Sequence, residues 1–160
     1  MAGREFDEFY LSHYDNVARA LTLAGADREL AADAAQEAFA RALRRWRQVR
    51  DMERPAGWVY VVAMNQLRDH WRRLEHKAPD EAAIPDPTGT VATRLTVRDA
   101  LATLSPRQRQ AVVLRYLADL PVADIAEAMG CAVGTVKATL HRARASLRVE
   151  LEEEDDDANG

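Results

Sequence analysis

The sequence predicts an all-α protein of two small helical domains joined by a flexible linker, and three features carry that prediction. Apolar residues recur at steps of three and four along most of the chain, while the alternating Val, Ile and Thr runs that mark strands are absent. Helix formers (Ala, Leu, Arg and Glu) are abundant, and only seven Gly and six Pro punctuate the 160 residues. Between His76 and Thr93 the periodicity lapses, with Pro79, Pro85, Pro87 and Gly89 in its place. A chain of this length has room for one ordinary domain or two small ones, and the break selects two.

The first helix is marked by Phe6, Phe9, Tyr10, Tyr14, Val17 and Leu21 and stops near Gly25. Asp27 is placed to cap the second, expected from about Arg28 to Arg47. Its stripe is Leu30, Ala34, Ala38, Ala42 and Trp46, with Phe39 and Leu43 widening it. A third helix starts at Pro55, a residue suited to the first helical position, and runs to about Leu74 along Tyr60, Met64, Leu67, Trp71 and Leu74. These elements make a domain of residues 1–75. The linker, 76–93, could stretch to roughly 60 Å, longer than one turn of duplex DNA at about 34 Å.

The second domain, 94–149, opens with a short helix around Val97, Leu101 and Leu104. Ser105-Pro106-Arg107-Gln108 then has the form of a capping box with proline at the first helical position. That helix is expected to reach about Ala118, where Leu120-Pro121 breaks it. A short helix from Val122 to Met129 precedes Gly130, and the last helix carries Val133, Val136, Leu140, Ala143 and Leu147. Residues 150–160 are expected to form a disordered acidic tail.

The net charge of −4 disguises a mildly basic body. Seven of the 26 acidic residues fall in the last eleven positions, which leaves 22 basic against 19 acidic residues elsewhere. Cys131 is the sole cysteine, so no internal disulfide can form, and a small apolar role in its turn is expected. Met1 to Asp7 is charged, and the longest apolar run, Trp58 to Met64, is far short of the ~20 residues of a membrane span. A cytoplasmic protein without membrane contact is expected. His13, His70, His76 and His141 lack metal-ligand spacing, and no nucleophile or phosphate-loop motif occurs. Neither enzyme, metal nor cofactor is expected.

Residues 122 to 147 have the spacing of a helix-turn-helix. Ala126 sits where two helices cross closely, and Gly130, four residues on, supplies a left-handed turn. Val136 then packs the second helix on the first, with Ile125 and Met129 filling the core. Thr135, Lys137, Thr139, His141, Arg142, Arg144 and Arg148 face away from the apolar stripe or flank it, and no acid occurs between Glu127 and Glu150. Such a helix suits the major groove, its first turns at base edges and later arginines on phosphates.

In the first domain the third helix combines Trp58, Tyr60, Asn65, Arg68, Asp69, Trp71, Arg72 and Arg73. Rings that stack on unpaired bases and arginines that neutralise the backbone are what single-strand binding requires. By themselves these residues fit core anchors with solvated arginines better than a binding face. The second helix presents Asp33, Gln36, Glu37, Arg41 and Arg44, an arrangement that also suits the helix dipole alone.

Taken together, the two halves resemble the sigma-70 family, specifically its extracytoplasmic-function group. Asp33 to Phe39, Trp46, Arg54 to Asn65 and Asp69 to Arg73 are similar to sigma region 2. Leu104 to Arg109, Ile125-Ala126, Gly130, Gly134 to Lys137 and His141 to Arg144 are similar to region 4. The resemblance implies a promoter-specificity factor that binds core RNA polymerase, recognises −35 and −10 elements and assists promoter melting. Asp33, Gln36, Glu37, Phe39 and Arg41 would dock on the β′ clamp helices, and the helices beside the recognition helix would approach the β flap. Trp58, Asn65, Arg68, Asp69, Arg72 and Arg73 would handle the −10 element, and Thr135, Lys137, Thr139, His141, Arg142 and Arg144 the −35 element. An anti-sigma protein, common in the group, would use the same surfaces. Two positions depart from the pattern: Ala132 stands where a hydroxyl cap is frequent, and Ala138-Thr139 where Ser-Arg is frequent. A conventional helix-turn-helix repressor or response-regulator output protein, and an adaptor for polymerase or an anti-sigma protein, are the competing readings; the first would bind duplex DNA tightly without polymerase, the second would associate with core polymerase without producing a specific transcript.

Overall fold

A computed structural model describes residues 2–77 and 97–159, and every element among the described residues is helical. The first module comprises α1 (Ala2–Leu23), α2 (Arg28–Arg44), the short α3 (Trp46–Val49) and α4 (Pro55–Lys77). Gly25, at φ 117°, turns the chain after α1, and the Asp27 carboxylate accepts the Leu30 N–H at 2.7 Å to start α2. The buried face of α2 is mostly alanine: Ala31, Ala34, Ala35, Ala38 and Ala42, joined by Phe39. Such small side chains let α1 and α4 approach α2 closely.

The second helix was expected to reach Arg47, but it breaks at Arg45 (φ −116°) and resumes as α3. This bend carries Trp46 and Val49 into the core, where the Trp46 ring meets Phe6 edge-on at 5.4 Å. Two expected core leucines lie outside it. Leu43 is exposed because, at about 100° per residue, it falls beyond the edge of the stripe centred on Ala31, Ala35 and Ala38. Leu74 is exposed because α4, at 23 residues, outruns the 17 residues of α2.

The second module contains α5 (Val97–Ala102), α6 (Pro106–Val112), α7 (Val122–Met129) and α8 (Val133–Asn159). Ser105 forms the expected capping box: its hydroxyl accepts the Gln108 N–H, and the Gln108 side chain accepts the Ser105 N–H, each at 3.2 Å. From Val113 to Leu117 the helix widens to a π form before Asp119, at φ 54°, and Pro121 end it. Arg109 closes the C-terminus of α5 by donating to the carbonyls of Leu101 (3.0 Å), Ala102 (3.4 Å) and Leu104 (3.4 Å). Burial pushes its guanidinium pKa below the ordinary arginine value.

Three expectations change here. Val133 is exposed, because it opens α8 at the rim of the turn, one turn short of the buried Val136–Leu140–Ala143 seam. The disordered acidic tail is replaced by helix: α8 continues to Asn159, with neither Gly nor Pro between Gly134 and Gly160 to stop it. The linker expected over 76–93 starts inside α4, which ends at Lys77, and from residue 78 lies outside the described residues. The modules share one continuous core, with α4 packed on α7 and α1 on the π-helical turn. No helix among the described residues is long and apolar enough to cross a membrane.

Candidate nucleic-acid and polymerase interfaces

The α7–turn–α8 unit has the geometry its spacing predicts. Gly130 is left-handed (φ 64°, ψ 40°), and the Cys131 N–H returns to the Ala126 carbonyl at 3.0 Å, closing α7. Ala126 is buried at the crossing, with Ile125, Met129 and Val136 around it. Cys131 is half-buried and packs on the core. At the start of α8 the Ala132 carbonyl receives the N–H groups of Thr135 (3.1 Å) and Val136 (3.2 Å).

Burying Val136, Leu140 and Ala143 leaves Thr135, Lys137, His141, Arg142, Arg144 and Arg148 exposed on the outer face of α8. Thr139 differs. It is half-buried, and its hydroxyl donates to the Thr135 carbonyl at 2.7 Å, so its proton is committed within the helix. Arg144 is oriented from outside α8: its Nε donates to the Tyr116 hydroxyl, and its guanidinium lies 5.7 Å from that ring's centroid. Tyr116 was not among the residues singled out from the sequence; its exposed position on the π-helical turn comes only from the fold.

On α4, Asp69, Arg72 and Arg73 are exposed, and Trp58, Asn65 and Arg68 are half-buried. Asn65 Oδ1 and Arg68 Nε are buried without hydrogen-bond partners among the described residues. Tyr60 is buried, and desolvation holds its phenol above the usual tyrosine pKa, as a core anchor would be. Between the end of α2 and the start of α4 lies a cavity of about 340 Å³ lined by Arg41, Arg44, Arg45, Trp58 and Val62. Three arginines and one tryptophan thus line the same cavity. Arg45 was missed in the sequence; the run Arg44-Arg45-Trp46-Arg47 was the available signal.

Along α2, Asp33, Gln36 and Arg41 are exposed and Glu37 is half-buried. Glu37 holds Arg41 at 3.0 Å and Arg44 at 3.5 Å, and Gln36 makes long contacts of 3.4 Å to the hydroxyls of Tyr10 and Tyr14. Phe39, also expected at the polymerase contact, is only 2% exposed, enclosed by Phe9, Tyr10 and Tyr14 at centroid distances of 5.9, 5.1 and 5.8 Å. Its ring is consumed by the core. Asp33, Gln36, Glu37 and Arg41 remain as the accessible set.

Comparison with known proteins places both modules. Residues 9–77 match Sigma-70 region 2, and residues 94–147 match Sigma-70, region 4. The RNA polymerase sigma-E factor of Streptomyces avermitilis is 36% identical over 159 residues, covering 96% of this chain and 89% of that protein. The chain belongs to the sigma-70 family. Within it, similarity to the ECF RNA polymerase sigma factor SigL of Mycobacterium tuberculosis, 35% identical over 144 residues with 84% of this chain and 81% of that protein covered, places it in the extracytoplasmic-function group. It is a promoter-recognising sigma factor for transcription initiation. The same fold occurs in the sigma factor RpoE of Bartonella quintana, solved in complex with the anti-sigma factor NepR: TM-score 0.72, 20% identity, 93% of this chain and 98% of that one. It also occurs in CnrH, solved with the cytosolic domain of CnrY: TM-score 0.61, 22% identity, 94% and 90% covered.

Proposed function

We propose that this sigma factor divides promoter recognition between two faces, duplex reading on α8 and single-strand capture on α4. The carrying observation is the contrast between them. The α8 face is polar, basic and exposed, and its one neighbouring ring, Tyr116, is engaged by Arg144, which suits a groove of paired bases. The α4 face and the adjoining cavity combine Trp58 with Arg41, Arg44 and Arg45, a combination that prefers unstacked bases over duplex. Thr135, Lys137, His141, Arg142 and Arg144 read and hold the −35 element, with Thr139 contributing as an acceptor or through its methyl. Trp58, Asn65, Arg68, Asp69, Arg72 and Arg73 act on the −10 element as it opens. Unstacking a base step costs a few kcal/mol, so the site assists melting only through its preference for the unpaired strand.

Asp33, Gln36, Glu37 and Arg41 form the polymerase-docking surface, with the exposed Leu43 as its apolar neighbour. An anti-sigma protein is a proposed partner on the same faces, by analogy with the NepR complex of the Bartonella protein. The protein acts in the cytoplasm and catalyses no reaction of its own; polymerase does the chemistry.

Paired substitutions test the division. With core polymerase present, Arg142→Ala should weaken closed-complex binding and lower the salt slope by about one, while leaving base opening in preformed complexes intact. Arg72→Ala with Arg73→Ala should spare duplex binding and reduce permanganate reactivity of thymines in the −10 region. If both variants lowered closed-complex binding equally and neither altered opening, the division of labour would be wrong.

A further inference from the structure

The break between α2 and α3 sinks Trp46 into the core and leaves Arg44, Arg45 and Arg47 exposed around it. With Gln48 and Gly3 these residues line a second cavity, of about 750 Å³. Arg44 and Arg45 also line the Trp58 cavity, so the two chambers adjoin across them. Arg44 is partly neutralised by Glu37 at 3.5 Å, whereas Arg45 and Arg47 make no ion pair among the described residues. Gly3 belongs to the first turn of α1, whose N–H groups have no partner within the helix and carry the positive end of its dipole. A Cβ on Gly3 would meet nothing within 4 Å, so the backbone there is open to a ligand. The acid of that turn, Glu5, is taken up by Arg50 at 3.3 Å. Trp46, only 8% exposed, adds an indole Nε1 that is buried without an acceptor among the described residues. An oxyanion in the cavity answers the unpaired guanidinium groups and brings an acceptor to that wall.

We propose that this second cavity is a phosphate site, and that its occupant is the backbone of the unpaired strand as it leaves the Trp58 chamber. The proposal rests on reading that chamber as the place of single-strand capture. With a base held beside Trp58, the strand continues over Arg44 and Arg45, which border both chambers, and a following phosphate meets Arg47 and the first turn of α1. The chambers differ in chemistry as their occupants do. Trp58 is half-buried and offers a ring to a base, whereas the Trp46 ring is buried against Phe6 and offers none.

A phosphate contact carries no sequence information, so the site adds affinity and fixes the path of the strand without changing which bases are chosen. It also extends the single-strand surface from α4 to α1. A free nucleotide carries the same chemical group, and the exposed Leu43 at the rim sets the polymerase-docking surface close by. The test separates these occupants.

The experiment compares Arg47→Gln and Gly3→Asp, at the phosphate site, with Trp58→Ala in the base chamber, all in the full chain. Gly3→Asp sets a carboxylate in open space at a helix end that favours an acid, and circular dichroism verifies that each variant keeps its helix content. Fluorescence anisotropy with a fluorescein-labelled mixed-sequence 20-mer, single-stranded and duplex, is run across a salt series. ATP serves as the free-phosphate probe, and core polymerase is titrated separately. Arg47→Gln and Gly3→Asp should each lower single-strand affinity about three- to fivefold and flatten its salt slope by about 0.7, the share of one phosphate contact on a single strand. Trp58→Ala should weaken binding and leave the slope unchanged. Duplex and polymerase binding by the two phosphate-site variants should stay within about twofold of the parent. Parent-like affinity and slope in both of them, with Trp58→Ala impaired, would overturn the phosphate site alone. Parent-like binding by all three, or no single-strand binding by the parent alone or with core polymerase, would overturn the reading of the Trp58 chamber itself. ATP binding lost in the phosphate-site variants with strand binding intact would give the cavity to a free nucleotide, and polymerase affinity lost in the same way would give it to an acidic segment of polymerase. Either result overturns the strand assignment.

Discussion

Replacing Phe39 by alanine separates two roles that the sequence alone assigns to the same residue. If Phe39 touched polymerase, its loss would weaken that complex and leave the fold intact. The structure instead encloses its ring against Phe9, Tyr10 and Tyr14, with Tyr10 nearly perpendicular at 76°. Phe39 is fully buried on an α2 face otherwise made of alanines, which cannot move in to fill the cavity without repacking three helices. Phe→Ala at such a site costs about 3–5 kcal/mol, cavity and lost packing included. For a chain of this size each kcal/mol moves Tm by about 2–4 °C, so the variant should melt roughly 6–20 °C lower. Phe39→Leu keeps most of the volume and should recover more than half of that loss. The assay is thermal and urea denaturation of the full chain alongside titration with core polymerase at a temperature where the variant remains folded. A Tm within 2 °C of the parent, combined with a tenfold loss of polymerase affinity, would refute the packing argument.

Three further outcomes follow from named contacts. Tyr116→Phe removes the hydroxyl that accepts from Arg144 Nε but keeps the ring; at about 0.5–1.5 kcal/mol for the bond, −35 duplex affinity should fall roughly 2- to 12-fold, and footprinting should show −10 opening unaffected. Ser105→Ala deletes the cap of α6 and should cost ~1 kcal/mol in equilibrium unfolding, with Ser105→Gly costing less. His13, packed 4.8 Å from the Phe9 ring, has its pKa depressed by burial, so between its folded value and 6.5 the unfolded chain binds more protons. Stability should therefore fall as pH drops below about 6.5 and level off below the folded pKa; His13→Gln should flatten that part of the profile in a pH series of urea melts.

What the sequence made legible was whatever depends on local chemistry. Asp27 and Ser105 act as caps because a side-chain oxygen at that position meets backbone N–H groups two or three residues on, whatever the rest of the fold does. Ala126, Gly130 and Val136 announce the helix-turn-helix for the same reason, each answering a constraint at one crossing or turn. The misreadings share the opposite cause. Leu43 falls beyond the angular edge of its stripe, and Leu74 and Val133 keep helical spacing but lie past the ends of the packed seams among the described residues, a limit that periodicity cannot report. The acidic run beyond Glu150 looks unfavourable for helix by charge, yet a long helix already propagating from Val133 continues through it.

The interfaces were legible in composition and less so in geometry. The basic face of α8 and the aromatic–basic mixture of α4 are visible as residue types. Whether a given side chain points outward is decided by tertiary packing, which buried Phe39 and drew Thr139 and Arg68 into intramolecular contacts. Tyr116 and Arg45 came to light only when the fold placed them beside Arg144 and Trp58. The packing of Arg109 on Gly25 and of Leu120 on Gly57 joins residues far apart in sequence, and nothing local marks it.

The central claim is that this chain gives core RNA polymerase its choice of promoter. In vitro transcription with purified core polymerase and sheared genomic DNA from the source organism, with RNA 5′ ends mapped, tests it directly. The account predicts discrete start sites that appear only when the protein is added and share two upstream elements. Their yield should fall with Arg72→Ala/Arg73→Ala and with Arg142→Ala. An absence of specific starts, with a core polymerase shown to be active alongside another sigma factor, would contradict it.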